Sequence, residues 1–423
     1  MIRFLMLGLL RDRSRSLFPL LTVAAGVAIT VFMFCFMSGI KGDAIRDSAA
    51  FQTGHVRITT AAYHQLEHQL PVDLALLETS ELLSQLRATE PELSWTPRIR
   101  FGCLLDVPDA SGETRSQGPA LGMAVDLRTD RAEIERLHLE QALTSGILPV
   151  LPDEILLSQQ MATQLELQLG DTVTLIGGTV YGSTSMVNLR LCGTLRFGIT
   201  AIDRGGFLVD LATARSFLDL EGGATEILGY FRSDFYDMNQ ADLLATDFNN
   251  RFQDEQEEFA PLMLPLHRQS SLGELLELWG YFSTILIAIF VFVMSIVLWN
   301  SGLMGSLRRY GEIGIRLAFG ENKHHLYRTL LYESVLIGLT GSLIGGAIGL
   351  TLGAWLQYQG LDYGFAFKNT SMIMSSVIRA QVSPAAFFIG FVPGLLSPLL
   401  GTLISGLAVY RRQTAQLFKE LEV

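Results

Sequence analysis

The chain has 423 residues, 49% of them hydrophobic and 17% charged, with a mean hydropathy of +0.33 and a formal net charge of -11. That balance is too apolar for an ordinary soluble protein, and its acidity excludes nucleic acid as a partner. The apolar residues gather in a few blocks, as expected of a membrane protein with a large water-facing part.

Four runs are long enough to cross a bilayer, which takes about 20 helical residues: 17–40, 278–303, 330–356 and 384–410. The third carries one carboxylate, Glu333, near its start. From the N-terminus, residues 1–16 place Ile2, Leu5, Met6 and Leu9 at helical spacing beside Arg3 and Arg11, the pattern of a cytoplasmic amphipathic helix in the inner membrane interface. Read otherwise, they are the first turns of the span. The run 17–40 is longer than the core of a cleavable signal and has no small-x-small exit before Lys41, so it is expected to remain as transmembrane helix 1.

Residues 41–277 are mixed in composition. Strands are expected at His55–Thr60, Ile99–Val107 and Ala120–Asp126, and helices at Glu81–Ala88 and Asp130–Leu143. Pro152–Gly177 parses as strand, helix, a Leu-Gly-Asp turn and strand. Further strands are expected at Val187–Phe197, Gly206–Asp210 and Glu226–Arg232, and helices at Ala212–Leu220 and Gln240–Phe252. Strand and helix interleave without a repeat, which describes an α+β domain with room for two lobes. The acidic run Asp254–Phe259 reads as a solvated helix end or loop.

No catalytic constellation emerges, and no catalytic, cofactor or metal site is expected in this chain. His64 and His68 flank Glu67 in HQLEH, half a metal site if helical, but the order is not that of a zinc peptidase and no third ligand is evident; they are read as surface residues. No Gly-rich loop ends in Lys-Ser or Lys-Thr to cradle a nucleotide phosphate, so any ATP and Mg would be bound by a partner chain. Cys35 falls inside the first span. Cys103 and Cys192 share the region 41–277, and the sequence leaves open whether they pair.

Charge sets the topology, since Lys and Arg beside spans favour the cytoplasm. Arg3, Arg11, Arg13 and Arg15 precede span one; Arg308, Arg309, Arg316, Lys323 and Arg328 lie between spans two and three; Arg411, Arg412 and Lys419 follow span four. All lie on one side, which makes both termini cytoplasmic and turns 41–277 and the short loop 357–383 outward. Lys41 to Glu274 holds 17 basic and 34 acidic residues, net -17, against 14 and 8, net +6, elsewhere.

The segment 304–329 is basic and cytoplasmic on this topology. A short helix there would rest Ile313, Ile315, Leu317 and Phe319 on the membrane while Arg308, Arg309, Glu312 and Arg316 stay wet, a rigid handle for a partner; the other reading is a merely basic loop. Gly320 is placed to end such a helix. In the next span Gly341, Gly345, Gly349 and Gly353 recur every four residues, a stripe that lets another helix approach to backbone contact. Glu333 is expected to snorkel to the interface or pair with Arg328.

The segment EIGIRLAFG, then LLYES, then a glycine-spaced span resembles the signature of the FtsX/MacB-type ABC transporter permeases, with Glu312, Gly314, Arg316, Gly320 and Glu333 at matching positions. SGIKGD, TGHVRI, PDEILLSQQMATQLELQLGDTVTLIG and GGFLVDLATARSFLDL are similar to parts of that family's external domain, TGHVRI being nearer the lipoprotein-releasing (LolC/LolE-like) branch. The resemblance implies an α-helical membrane protein with four transmembrane helices and a large α+β extracytoplasmic domain of MacB-like type, with 278–412 as the FtsX-like permease domain and 411–423 as a cytoplasmic tail. It implies a multi-pass protein of the bacterial inner membrane whose domain is periplasmic. It further implies two copies of an ATPase subunit as partners and a second permease subunit, identical or paralogous. The coupling helix would comprise Glu312, Ile313, Gly314, Ile315, Arg316, Leu317 and Gly320. The cargo it implies is a lipoprotein or other lipid-bearing molecule drawn from membrane lipid. Drug or peptide efflux of the MacB type, FtsX-like regulation of cell-wall hydrolases and a membrane-anchored enzyme are the alternatives.

Overall fold

The computed structural model describes residues 13–411 apart from 110, 198–199, 233–235, 253–257, 308–309 and 363–376. The helix expected over 1–16 lies largely outside these residues; from Arg13 the chain is already in α1 (Arg13–Ser48). Nothing in the uncharged run stops this helix, and its polar residues Thr22 and Thr30 return their hydroxyls to the Phe18 and Gly26 carbonyls at 2.8 Å. It continues past the expected boundary at Ile40 and closes in a π-helical turn, Ala49–Thr53.

Next come β1 (Val56–Thr60), α2 (Ala61–Gln65), α3 (Thr79–Thr89), β2 (Leu93–Pro108) and β3 (Thr114–Val125). They are followed by α4 (Arg131–Arg136), α5 (Leu139–Ala142), β4 (Leu143–Gly146), β5 (Glu154–Ser158), α6 (Gln159–Gln164), β6 (Thr172–Gly178) and β7 (Thr184–Leu195). The remainder is α7 (Thr200–Asp203), β8 (Gly206–Asp210), α8 (Leu211–Phe217), β9 (Glu226–Phe231), α9 (Met238–Phe252) and β10 (Pro261–Pro265). The strands form one mixed sheet in the order β10-β1-β9-β2-β3-β8-β5-β7-β4, with β6 pairing β2 and β7. Among the described residues only β3–β8 and β5–β7 run parallel.

The described residues of Ala44–Glu277 make one compact unit. Its two main cores share the long strand β2, which changes partner midway: Leu93–Arg98 pair with β9, and Ile99–Pro108 pair with β3. On the first half Leu93 and Trp95 join Val56, Ile58 and Ile227 under α3 and α9; on the second Ile99, Phe101 and Leu105 join Val173 and Phe207. The room for two lobes is filled by two cores on one strand.

The helix expected over Asp130–Leu143 is broken. Leu137 and Leu139 are both buried in a third core with Phe51, Leu156 and Leu208. Two positions apart on a helix they would face nearly opposite ways, so the chain turns at His138, at φ +49, to bury both. The HQLEH pair is likewise separated, because α2 ends at Gln65 and Glu67–Gln69 form a different turn. Residues 254–257 of the acidic run lie outside the described residues.

The other unit gathers the described residues of Met1–Asp43, Leu278–Asp362 and Val377–Val423. It holds most of α10 (Ser270–Leu307), then α11 (Tyr310–Ala318), α12 (Lys323–Gln359), the pair β11 (Leu361–Asp362) and β12 (Val377–Ile378), α13 (Ala386–Ile389) and α14 (Ser397–Arg411). Four helical stretches are long and apolar enough to cross a membrane: Leu17–Thr53, Leu278–Asn300, Lys323–Gln359 and Ala386–Gly406. The last is not the uniform helix expected over 384–410. Pro393 and Pro398 have no N–H to give the ladder, and a π-helical turn at Val392–Leu396 separates α13 from α14.

Candidate functional site

The segment between spans two and three contains a short helix, α11, followed by a four-residue corner to α12. The corner is built from two caps. Gly320, at φ +87, donates its N–H to the Leu317 carbonyl at 3.1 Å, and Glu321 donates to Arg316 at 3.1 Å, the paired bonds of a Schellman motif. Two residues on, the Asn322 side chain accepts the His324 N–H at 3.0 Å and starts α12. The chain therefore stops one helix and starts another without leaving the ends unsatisfied.

On α11 Gly314 is buried, Leu317 half-buried, and Ile315 and Arg316 exposed. Glu312 and Ile313 belong to the helix, but their side chains lie outside the described residues. Phe319, just past the helix, is 88% exposed and stands four residues from Ile315, so the two form one apolar knob on the corner.

The glycine stripe of α12 lies against α1. A Cβ added at Gly341 would stand 2.7 Å from Val23 Cγ1; at Gly349, 2.7 Å from the Ala28 carbonyl oxygen; at Gly353, 3.2 Å from Cys35 Sγ. All four stripe glycines are buried. The complementary surface on α1 is Val23, Ala24, Val27, Ala28, Val31 and Cys35. Its signal was present in the sequence as Ala24 and Ala28, small residues four apart. Glu333 sits half-buried on α12, one turn beyond Arg328, whose guanidinium donates to the Tyr332 hydroxyl at 3.4 Å.

In the other unit the sequence reading missed a buried ionic cluster. Arg98, fully buried where β2 changes partner, donates Nε to Glu133 Oε1 at 2.7 Å. It also donates to the Ala50 carbonyl at 2.7 Å, the Phe51 carbonyl at 3.3 Å and the Tyr230 hydroxyl at 2.9 Å. Burial works against its charge, but Glu133 foremost, together with Tyr230 and Glu226, more than offsets that and holds its pKa above the usual arginine value. Arg136 completes the cluster by binding Glu133 and lying 3.9 Å over the Tyr230 ring. The ordinary signal for such a residue, an arginine flanked by Pro97 and Ile99, is no different from that of an exposed one.

Nearby, Arg57 binds Glu67 at 2.5 Å. Burial raises the Glu67 pKa, yet His64, 3.6 Å away, and Arg57 outweigh it and bring it to about 2. Cys103 and Cys192 are both free thiols; burial pushes each up to about 12, aided at Cys192 by the Glu154 carboxylate. No cluster of three or more His, Cys, Asp or Glu suited to a metal occurs among the described residues.

Residues 284–414 match the family described as FtsX-like permease C-terminal. The Macrolide export ATP-binding/permease protein MacB of Nitrosomonas europaea is 34% identical over 118 residues, 28% of this chain and 17% of that protein. The Pyoverdine export ATP-binding/permease protein PvdT of Pseudomonas putida is 32% identical over 106 residues, 25% of this chain and 15% of that protein. The matches thus span about a sixth of these relatives' length. Among solved structures, the periplasmic region of MacB from Actinobacillus actinomycetemcomitans is similar at a TM-score of 0.35 and 11% identity, over 54% of this chain and 95% of that one; a likeness of that size carries no weight here. What is similar is thus the C-terminal part of an FtsX-like permease over 284–414, and stretches of 118 and 106 residues in two export ATP-binding/permease proteins.

Proposed function

We propose that this chain is the permease subunit of an ABC transporter of FtsX/MacB type. The observation that carries the reading is that the capped corner Phe319–Asn322, with its apolar knob of Ile315 and Phe319, falls inside the matched residues 284–414. In this reading α11 receives a partner ATPase, which binds ATP and Mg, and a second permease subunit completes the membrane part. The arginines on either side of the corner favour a cytoplasmic position for it, with Ala44–Glu277 on the far side of the inner membrane.

Two cargo readings stand. Extraction of lipoproteins or other lipid-bearing molecules rests on the likeness of TGHVRI to the lipoprotein-releasing branch. Efflux of a small molecule is favoured by the names of both relatives, which are exporters.

The test is copurification of the chain with its ATPase, followed by ATP hydrolysis in nanodiscs. The double variant Glu312→Ala/Arg316→Ala should uncouple hydrolysis from transport, and full coupling in that variant would count against the role of α11. Stimulation by an acylated protein and not by its unacylated form selects the first cargo; stimulation by macrolides or siderophores selects the second. Capture of a murein hydrolase without substrate-stimulated hydrolysis would instead select a regulator.

A further inference from the structure

The first half of β2 has a free edge. Leu93–Arg98 pair with β9 on one side, while pairing with β3 begins only at Ile99, so no described strand lies along the other side of Leu93–Pro97. Free edges are usually blunted, covered or twisted away, because their N–H and C=O groups invite another strand. This one instead borders a cleft of about 800 Å³ between α3 and the segment that leads into α4. Pro97 has no N–H and marks the end of the usable edge.

The walls of the cleft are charged unevenly. Arg87 of α3, Arg215 of α8 and Arg232 after β9 all line it, and none forms an ion pair with a described residue. Arg215 spends its Nε–H on the Gly223 carbonyl at 2.9 Å and keeps its terminal nitrogens. Two acids, Asp126 and Asp130, stand against these three arginines, and the Asp126 charge already acts on Arg215 without forming an ion pair. Asp126 accepts the N–H of Arg128 at 3.2 Å and of Thr129 at 2.8 Å and binds the Thr129 hydroxyl, and Asp130 caps α4 through the Glu133 N–H at 3.2 Å. The cleft therefore offers a strand edge and three guanidinium groups to the same visitor.

We propose that the cleft receives an extended acidic peptide segment of a partner protein, which adds a short strand along Leu93–Thr96 and sets its carboxylates against Arg87, Arg215 and Arg232. Backbone pairing supplies the affinity and the alternate side chains supply selectivity. Four residues of edge are about 13 Å long, at roughly 3.3 Å per residue. This places a protein contact within Ala44–Glu277 whatever cargo the transporter carries.

The test uses the full chain in nanodiscs and a labelled, acetylated hexapeptide of alternating valine and glutamate. Saturable binding is expected, with slowed hydrogen exchange at Trp95, since the Ser94 and Thr96 amides face β9 and Leu93 already donates to the Glu90 carbonyl at 3.2 Å. The lysine counterpart, and a version N-methylated at alternate amides so that it cannot pair, should each bind at least about tenfold more weakly. Arg87→Glu/Arg232→Glu, both changes at exposed positions, should reverse the preference between the glutamate and lysine peptides. Absence of binding, equal binding of the two charge forms, unchanged binding of the N-methylated form, or displacement by citrate with no protection of the strand would each overturn the proposal.

Discussion

Gly345 and Ala24 meet backbone to backbone: a Cβ added to the glycine would stand 2.3 Å from the alanine's carbonyl oxygen. A main-chain oxygen cannot swing aside as a side chain can. Gly345→Leu should therefore force α12 off α1 and cost several kcal/mol, beyond the ~1–3 kcal/mol of ordinary overpacking. The neighbouring Gly346 meets nothing within 4 Å, so Gly346→Ala should be neutral or slightly stabilising through helix propensity. Thermal unfolding of the two variants in the same detergent checks the contrast; equal melting would mean that α12 does not rely on this contact.

Gly320 has space around it but a left-handed backbone. Gly320→Val should thus lose about 1–2 kcal/mol through strain alone. Its effect should appear in coupling of ATP hydrolysis more than in overall melting, because the corner lies at the periphery. A variant with normal coupling would show that the corner tolerates a different geometry.

Removing Arg98 takes away one of the two arginine partners of Glu133 and the guanidinium donor of two interior backbone carbonyls. Arg98→Met should destabilise the chain by about 3–5 kcal/mol. Adding Glu133→Gln removes a buried charge left with Arg136 alone and should recover part of that loss. Chemical denaturation followed by Trp95 fluorescence reports on this lobe, and strict additivity of the two changes would argue that the pair is not coupled.

Glu67 titrates low in the folded chain, about 2 against about 4.3 when unfolded. Its folded pKa is depressed, so its stabilising contribution is complete above about pH 5 and disappears as pH falls towards 2. At most about 3 kcal/mol is involved. Glu67→Gln should flatten the acid limb of the stability profile between those limits, lowering stability by a constant amount above about pH 6 and converging with the parent towards pH 2; a parallel profile in the variant would exclude the link.

Cys103 and Cys192, with thiols pushed to about 12, should react slowly with maleimide at pH 7.5 in the folded chain and quickly after unfolding. A non-reducing gel should show no intrachain bridge between them. Rapid labelling of either in the native protein would contradict the burial described.

The features that were readable in advance are those set by local pattern. Apolar runs announced the long helices, four-residue spacing announced the glycine stripe, and Gly320 with Asn322 announced the corner. Pro393 and Pro398 were equally local, and they carried the warning that the last span would be broken. What escaped depends on partners far along the chain. Nothing between Leu93 and Pro108 says that β2 will exchange β9 for β3 at Arg98: β3 follows closely in the chain, but β9 lies more than a hundred positions away. The turn at His138 was hidden for a related reason: a periodic helix pattern ran through it, and only the demand that Leu137 and Leu139 share a core broke the run.

The close seam between α1 and α12 leaves α10 in a different position. Within an 18-residue apolar window of its stretch Leu278–Asn300 only 6% is buried, against 44% for the corresponding window in α1. Its outward Trp279, Phe282, Ile285, Ile289 and Phe292 must find their covering in acyl chains or in another polypeptide. Lateral company for α10 is thus chosen by the surroundings, and a thinner or thicker bilayer should be felt along this helix before it disturbs the glycine-lined seam.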